Sequence, residues 1–182
     1  MADPIQSFRT RVRGFWTKRH EVLDSEGRTL GTLTVRRNKW SMVVGGEYRP
    51  EQGEVLSIRR DPGLLRAQFS VWTESREWLA SSLRWHVAQR QIQIEAGSKK
   101  HRLVPQLGLR SGWRLMATKT GEVANFKLGF RKATLHVNRK MDFELLLFCY
   151  FLGTMTPLES IWPTALDLPE RSVDGKAATS QS

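Results

Sequence analysis

A chain of 182 residues, 40% of them hydrophobic, is long enough to bury one real core; its single cysteine, Cys149, excludes an intramolecular disulfide and any cysteine-based metal site. The formal charge of +11 is uneven: residues 1–60 hold 12 Lys/Arg against 7 Asp/Glu, residues 61–141 hold 15 against 5, and residues 142–182 hold 2 against 6. A basic body with an acidic C-terminal part attracts polyanions such as nucleic acid, anionic lipid or acidic protein, although charge alone names no partner.

In chain order, the first ten residues show no apolar stretch behind a charged start, so no signal peptide is expected. Together with the lone cysteine this suits a reducing compartment, and the expected location is cytoplasmic, peripheral to a membrane at most. Residues 1–7 read as an extension. Arg9, Arg11 and Arg13 alternate, so a strand there projects them from one face as a row. Turn signals follow at Asp24-Ser25-Glu26-Gly27, Gly45-Gly46, Asp61-Pro62-Gly63, Ala96-Gly97-Ser98 and Thr120-Gly121. Between them, apolar and polar residues alternate. Leu65, Ala67, Phe69 and Val71 form one apolar set, and Leu83, Trp85 and Val87 a second. Ile92 and Ile94, then Trp113, Leu115 and Ala117, then Ala133, Leu135 and Val137 complete the series. Such strands suit a sheet wet on one side, and the short spacings predict antiparallel hairpins. About ten to twelve strands with one apolar face must close on themselves or form a sandwich.

The run Phe143-Glu144-Leu145-Leu146-Leu147-Phe148-Cys149-Tyr150-Phe151-Leu152 breaks this pattern. It is apolar on nearly every side, unlike a surface helix, and too short to cross a bilayer. It reads as a buried helix over about 142–153, wrapped by the sheet, with Leu145, Leu146, Phe148, Cys149 and Leu152 in its core. Asn138 or Asp142 is the expected N-cap, and Gly153 the expected end. Residues 163–182 are polar and are expected to be a disordered tail.

The order of elements, antiparallel strands and then one strongly hydrophobic C-terminal helix, resembles the tubby C-terminal-like superfamily, which includes phospholipid scramblases and LURP-one-related proteins. The hairpin Glu21-Val22-Leu23-Asp24-Ser25-Glu26-Gly27-Arg28-Thr29-Leu30-Gly31 is similar to the start of scramblase and LURP-one domains. The resemblance covers about residues 8–162, by pattern more than identity. It implies a closed antiparallel β-barrel of about twelve strands around a central helix, and anionic-lipid binding. The proline-rich region and cysteine cluster of scramblase-type proteins are absent from this chain.

No chemistry stands out for catalysis. His20, His86, His101 and His136 form no metal-ligand spacing and read as ordinary surface residues. Cys149 on a buried helix is a small hydrophobe. Glu144 is either a helix-start charge at the barrel mouth or, in the sharper reading, a buried functional carboxylate. No carboxylate pair or phosphate-binding glycine loop appears, so the expectation is no enzyme, no cofactor and no metal. The candidate anion-binding residues are Arg9, Arg11, Arg13, Arg36, Arg37, Lys39, Lys99, Lys100, Arg102, Arg131 and Lys132. Trp16 and Trp72, on or near polar phases, are expected to insert at a lipid interface, stack on bases or cover gaps in the barrel. The expected partner is an anionic membrane surface, with nucleic acid or acidic protein as alternatives; a basic surface that merely keeps the protein soluble is the competing reading. No RNP-type aromatic pair, helix-turn-helix or zinc finger supports nucleic acid. No lipidation motif supports permanent anchoring.

Overall fold

The computed structural model describes residues 6–13, 19–39, 43–61, 67–84, 91–106, 112–129 and 131–155. Twelve strands close into one antiparallel barrel. They are β1 (Gln6–Arg13), β2 (Arg19–Leu23), β3 (Thr29–Arg37), β4 (Val43–Pro50), β5 (Leu56–Asp61) and β6 (Ala67–Thr73), followed by β7 (Trp78–Arg84), β8 (Ile92–Ala96), β9 (Lys99–Pro105), β10 (Gly112–Ala117), β11 (Gly121–Leu128) and β12 (Lys132–Val137). Each strand pairs with its sequence neighbours, and β1 closes the ring on β12 with Phe8 opposite Leu135. Closure leaves no unpaired edge.

Alternation places the core as the sequence predicts for most strands. Of the expected apolar sets, Phe69 and Val71, Ile92 and Ile94, Trp113 and Leu115, and Ala133, Leu135 and Val137 are buried, with Ala117 half-buried; Leu33 and Val35, and Leu56 and Ile58, are buried by the same alternation. The strand β7 departs from the expected phase. Ala80 and Ser82 are buried there, opposite Val71 and Phe69, while Leu83 is half-buried on the other phase. Pairing with β6 outweighs the hydrophobicity of Leu83, because a one-residue slip would turn Phe69 and Val71 out of register with their neighbours. The buried Ser82 hydroxyl accepts from Phe69 N–H at 3.2 Å and donates to Phe69 O at 3.3 Å, so its polarity is satisfied. Leu65, Trp85 and Val87 lie outside the described residues.

The helix α1 (Phe143–Met155) fills the barrel. Every residue from Leu145 to Leu152 is buried, including Leu146, Phe148, Cys149 and Phe151 at 0% exposure. Burying each large apolar side chain contributes about 1.5–3 kcal/mol. An all-round apolar helix needs a wall on every side, and a closed sheet supplies it. The helix enters at the end where β12 finishes, with the Phe143 ring 5.3 Å from Phe8 and 5.8 Å from Tyr48. It leaves at the opposite end, where Trp113 Nε1–H donates to Gly153 O at 2.8 Å.

Three expected boundaries change. The strand β1 starts at Gln6, ahead of residue 8, and the helix runs two residues past Gly153. Gly153 is no cap: it lies inside the helix because a Cβ there would stand 2.8 Å from Trp113 Cδ1. Gly45-Gly46 is no turn either, since both residues lie within β4. At Gly46 a Cβ would meet Phe151 Cε2 at 3.0 Å, so the bare backbone admits the helix side chain. The turns at Asp24–Gly27, Ala96–Ser98 and Thr120–Gly121 do join hairpins, with Gly27, Gly97 and Gly121 at positive φ. Of the turn at Asp61–Gly63, Pro62 and Gly63 lie outside the described residues, as does the tail 163–182.

Candidate anion-docking surface

The outward phase of the strands carries the basic residues, and register decides which of them meet. Arg11 on β1 stands directly opposite Lys132 on β12. Arg13 stands opposite Arg19 on β2. On the far side of β2, Arg36 of β3 and Arg59 of β5 both stand opposite Gly45 of β4. Arg36, Arg37, Lys39, Arg131 and Lys132 are exposed, as are Arg9, Arg11, Arg13, Arg19 and Arg59. The result is a basic belt over six consecutive strands, from β12 through β1 to β5. Gly45 contributes no side chain to the belt, and Arg36 Nη2 lies over it, 3.2 Å from where a Cβ would stand.

Few carboxylates neutralise the belt. Arg13 Nε lies 2.9 Å from Glu21 Oε1, and among the described residues Arg11, Arg19, Arg36 and Lys132 form no ion pair. Like charges directly opposite on paired strands destabilise a sheet. Glu21, opposite Arg11 and paired with Arg13, offsets part of that repulsion, whereas Lys132 and Arg19 have no carboxylate on them among the described residues.

Lys99, Lys100 and Arg102 do not join the belt. They lie on β9, four strands from β1 around the ring, and Lys100 Nζ is 3.6 Å from Glu95 Oε1. Sequence reasoning left out Arg19, whose partner Arg13 is six positions away on the neighbouring strand. Nor does the sequence link Arg59 to Arg36, because only the barrel register sets both beside Gly45.

The interior holds a second polar group of residues. Thr10 Oγ1 donates to Tyr150 Oη at 2.9 Å, and Tyr150 Oη is 2.8 Å from His20 Nδ1. The three side chains are buried and link the helix to β1 and β2. Burial pushes the Tyr150 hydroxyl up to about 12, so it stays protonated. His20 and His101 are thus not surface histidines: they are 5% and 6% exposed on the inward phase of short strands. His20 is satisfied inward by Tyr150 of the helix, whereas His101 Nδ1 is buried with no hydrogen-bond partner among the described residues. The His101 imidazole is pushed below its usual value first by burial and then by the positive charge of Lys99. His136 is half-buried, and His86 lies outside the described residues.

The remaining candidates fall into place. Glu144 is exposed in the first turn of the helix, where its charge favours the positive end of the dipole, so the buried-carboxylate option is overturned. Asp142 immediately precedes the helix, and its carbonyl accepts from Leu146 N–H at 3.2 Å. Cys149 is fully buried, which pushes its thiol far above the usual value. Trp72 is half-buried and donates to Ser70 Oγ at 2.9 Å, which fits a gap-covering aromatic. Trp16 lies outside the described residues. Among the described residues no group of His, Cys, Asp and Glu is placed to hold a metal ion. No helix among them is long and apolar enough to cross a membrane.

Comparison with family models, curated proteins and solved structures finds no match.

Proposed function

We propose that this chain is a non-enzymatic, tubby-like β-barrel of the cytoplasm that docks peripherally on anionic lipid surfaces through basic residues of its outer strands. The observation that carries the reading is the belt itself, in which register sets Arg11 against Lys132 and Arg13 against Arg19. A closed wall packed around an apolar helix also leaves recognition to the outside of the molecule. The resemblance of the sequence to the tubby C-terminal-like superfamily points the same way. A cation close to an anionic membrane contributes about 1 kcal/mol.

Vesicle flotation tests the reading. Binding to phosphatidylserine-containing vesicles is expected, weakening as salt rises. Replacing Arg9, Arg11 and Arg13 together by Gln is expected to cost roughly 3 kcal/mol of binding, about a hundredfold. Their side chains lie on the wet face, so stability is expected to move by less than about 0.5 kcal/mol each. Equal binding to neutral and anionic vesicles refutes the reading. Tight, salt-dependent binding of an oligonucleotide without vesicle association replaces it with nucleic-acid recognition. Capture of an acidic protein alone replaces it with an adaptor role.

A further inference from the structure

The connections 24–28, 51–55, 74–77, 97–98 and 118–120, with the link 138–142 into the helix, all lie at the end of the barrel where the helix enters. All six are among the described residues; at that end, residues 1–5 are not. They follow one another around the ring in chain order, with 138–142 beside 24–28. Their charges divide the ring into two halves. Residues 24–28, 51–55 and 74–77 are consecutive and carry Asp24, Glu26, Glu51, Glu54, Glu74 and Glu77 against Arg28 and Arg76, a net −4. Residues 97–100, 118–121 and 138–142 are also consecutive and carry Lys99, Lys100, Lys119, Arg139 and Lys140 against Asp142, a net +4. On the adjoining strands Glu47 pairs with Arg49, and Glu95 with Lys100, which trims the basic half by one charge. Inside the ring, Phe8, Leu30, Leu79, Met141 and Phe143 are half-buried and pack on the core from this end. An apolar centre within a charged margin is the anatomy of a protein–protein contact.

We infer that this end is a self-association surface, on which a second copy of the chain docks end to end about a twofold axis. An isologous contact needs a surface complementary to itself. Only a dyad along the boundary between the two halves sets every acidic connection against a basic one. It brings 24–28 of one copy over 138–142 of the other, 51–55 over 118–121, and 74–77 over 97–100. Any other dyad faces at least one acidic connection with an acidic one, which like-charge repulsion disfavours. Strands about 4.8 Å apart and tilted by about 40° give a ring roughly 24 Å across, and two such ends bury roughly 900–1,400 Å² in all. That is the size of a weak, transient contact. The net charge of +11 on each copy opposes association, but the belt cations Arg13, Arg19, Arg37 and Lys132 stand at the far end of their strands. A strand as long as β1 spans roughly 20 Å of the barrel axis, more than two Debye lengths of about 8 Å at physiological salt. The apposed connections lie within that length and attract. The contact is separate from lipid docking and leaves the belt free.

Sedimentation velocity of the full chain without vesicles, from about 10 μM to about 1 mM, tests the contact. A reversible dimer is expected, weakening by more than about tenfold as salt rises from about 0.15 to about 0.5 M. Glu51 and Lys119 are exposed, and among the described residues neither side chain holds a hydrogen bond or ion pair, so reversing either charge spares the fold. Glu51→Lys alone, or Lys119→Glu alone, turns two attractive contacts per dimer into repulsive ones and is expected to weaken association by about tenfold or more. An equimolar mixture of the two variants is expected to associate within about threefold of wild type, because each altered connection then meets its opposite charge. Arg102→Glu, midway along β9 on the outer wall, is expected to change association by less than about twofold. A chain that stays monomeric throughout, even one whose end captures another protein, overturns the inference. So does a dimer indifferent to both single reversals, or a mixture that associates no better than either variant alone.

Discussion

Replacing Gly153 by Ala sets two opposing effects against each other. By intrinsic propensity, Ala in a helix interior is favoured over Gly by about 1 kcal/mol. The barrel reverses this. A Cβ at position 153 would lie 2.8 Å from Trp113 Cδ1 and 3.1 Å from Trp113 Nε1, closer than real contacts allow. Trp113 is 9% exposed and tied by its Nε1–H to Gly153 O at 2.8 Å, so the indole yields only by giving up that bond. Overpacking costs about 1–3 kcal/mol, and a buried donor left without its acceptor a further ~1–3 kcal/mol. Set against the gain in propensity, Gly153→Ala is expected to destabilise the protein by about 1–5 kcal/mol. Urea unfolding followed by far-UV circular dichroism is expected to show a lower midpoint at unchanged slope. Wild-type or higher stability would refute the reasoning. A double-mutant cycle with Trp113→Phe is expected to show coupling, since the smaller ring relieves part of the overlap.

Tyr150→Phe removes the hydroxyl shared by Thr10 and His20 and is expected to cost about 1–3 kcal/mol in chemical unfolding; no loss would mean that the buried hydroxyl contributes nothing. Gly46→Ala, with its Cβ 3.0 Å from Phe151 Cε2 and from Thr34 O, is expected to lose about 1–3 kcal/mol by overpacking, a result read from thermal melts, and an unchanged melting temperature would refute the close approach. Native Cys149 is expected to react with a thiol reagent far more slowly than in denaturant, because burial disfavours its thiolate; fast labelling of native protein would contradict the central position of the helix. His101 has a folded-state value below the usual 6.5, so the unfolded chain binds more protons as pH falls. Its contribution is therefore complete above 6.5 and lost as pH drops toward the folded value. The decline in stability between neutral and mildly acidic pH is expected to flatten in His101→Gln, and an unchanged slope would assign the decline elsewhere.

Sequence alone determined the features governed by short-range physics and burial. Alternation in Ile92–Ile94 and Ala133–Val137 prescribes strands with one apolar face, because successive side chains point to opposite sides of a sheet. The run from Leu145 to Leu152 prescribes a wholly buried helix, since no face of it tolerates water. The Asp24–Gly27 turn is equally local: the Asp24 carboxylate accepts from Glu26 N–H and Arg28 N–H at 2.9 Å, and Gly27 takes the positive φ. Tertiary structure decided the rest. The inward phase of β7 follows from pairing with β6, and the roles of Gly46 and Gly153 depend on Phe151 and Trp113, distant in sequence. His20 and His101 are polar by type and buried by register. Arg36 and Arg59 flank Gly45 only because β3, β4 and β5 pair as they do. Such neighbours are separated by tens of residues, and the register that joins them is set by closure of the whole ring around its helix, which no local pattern encodes.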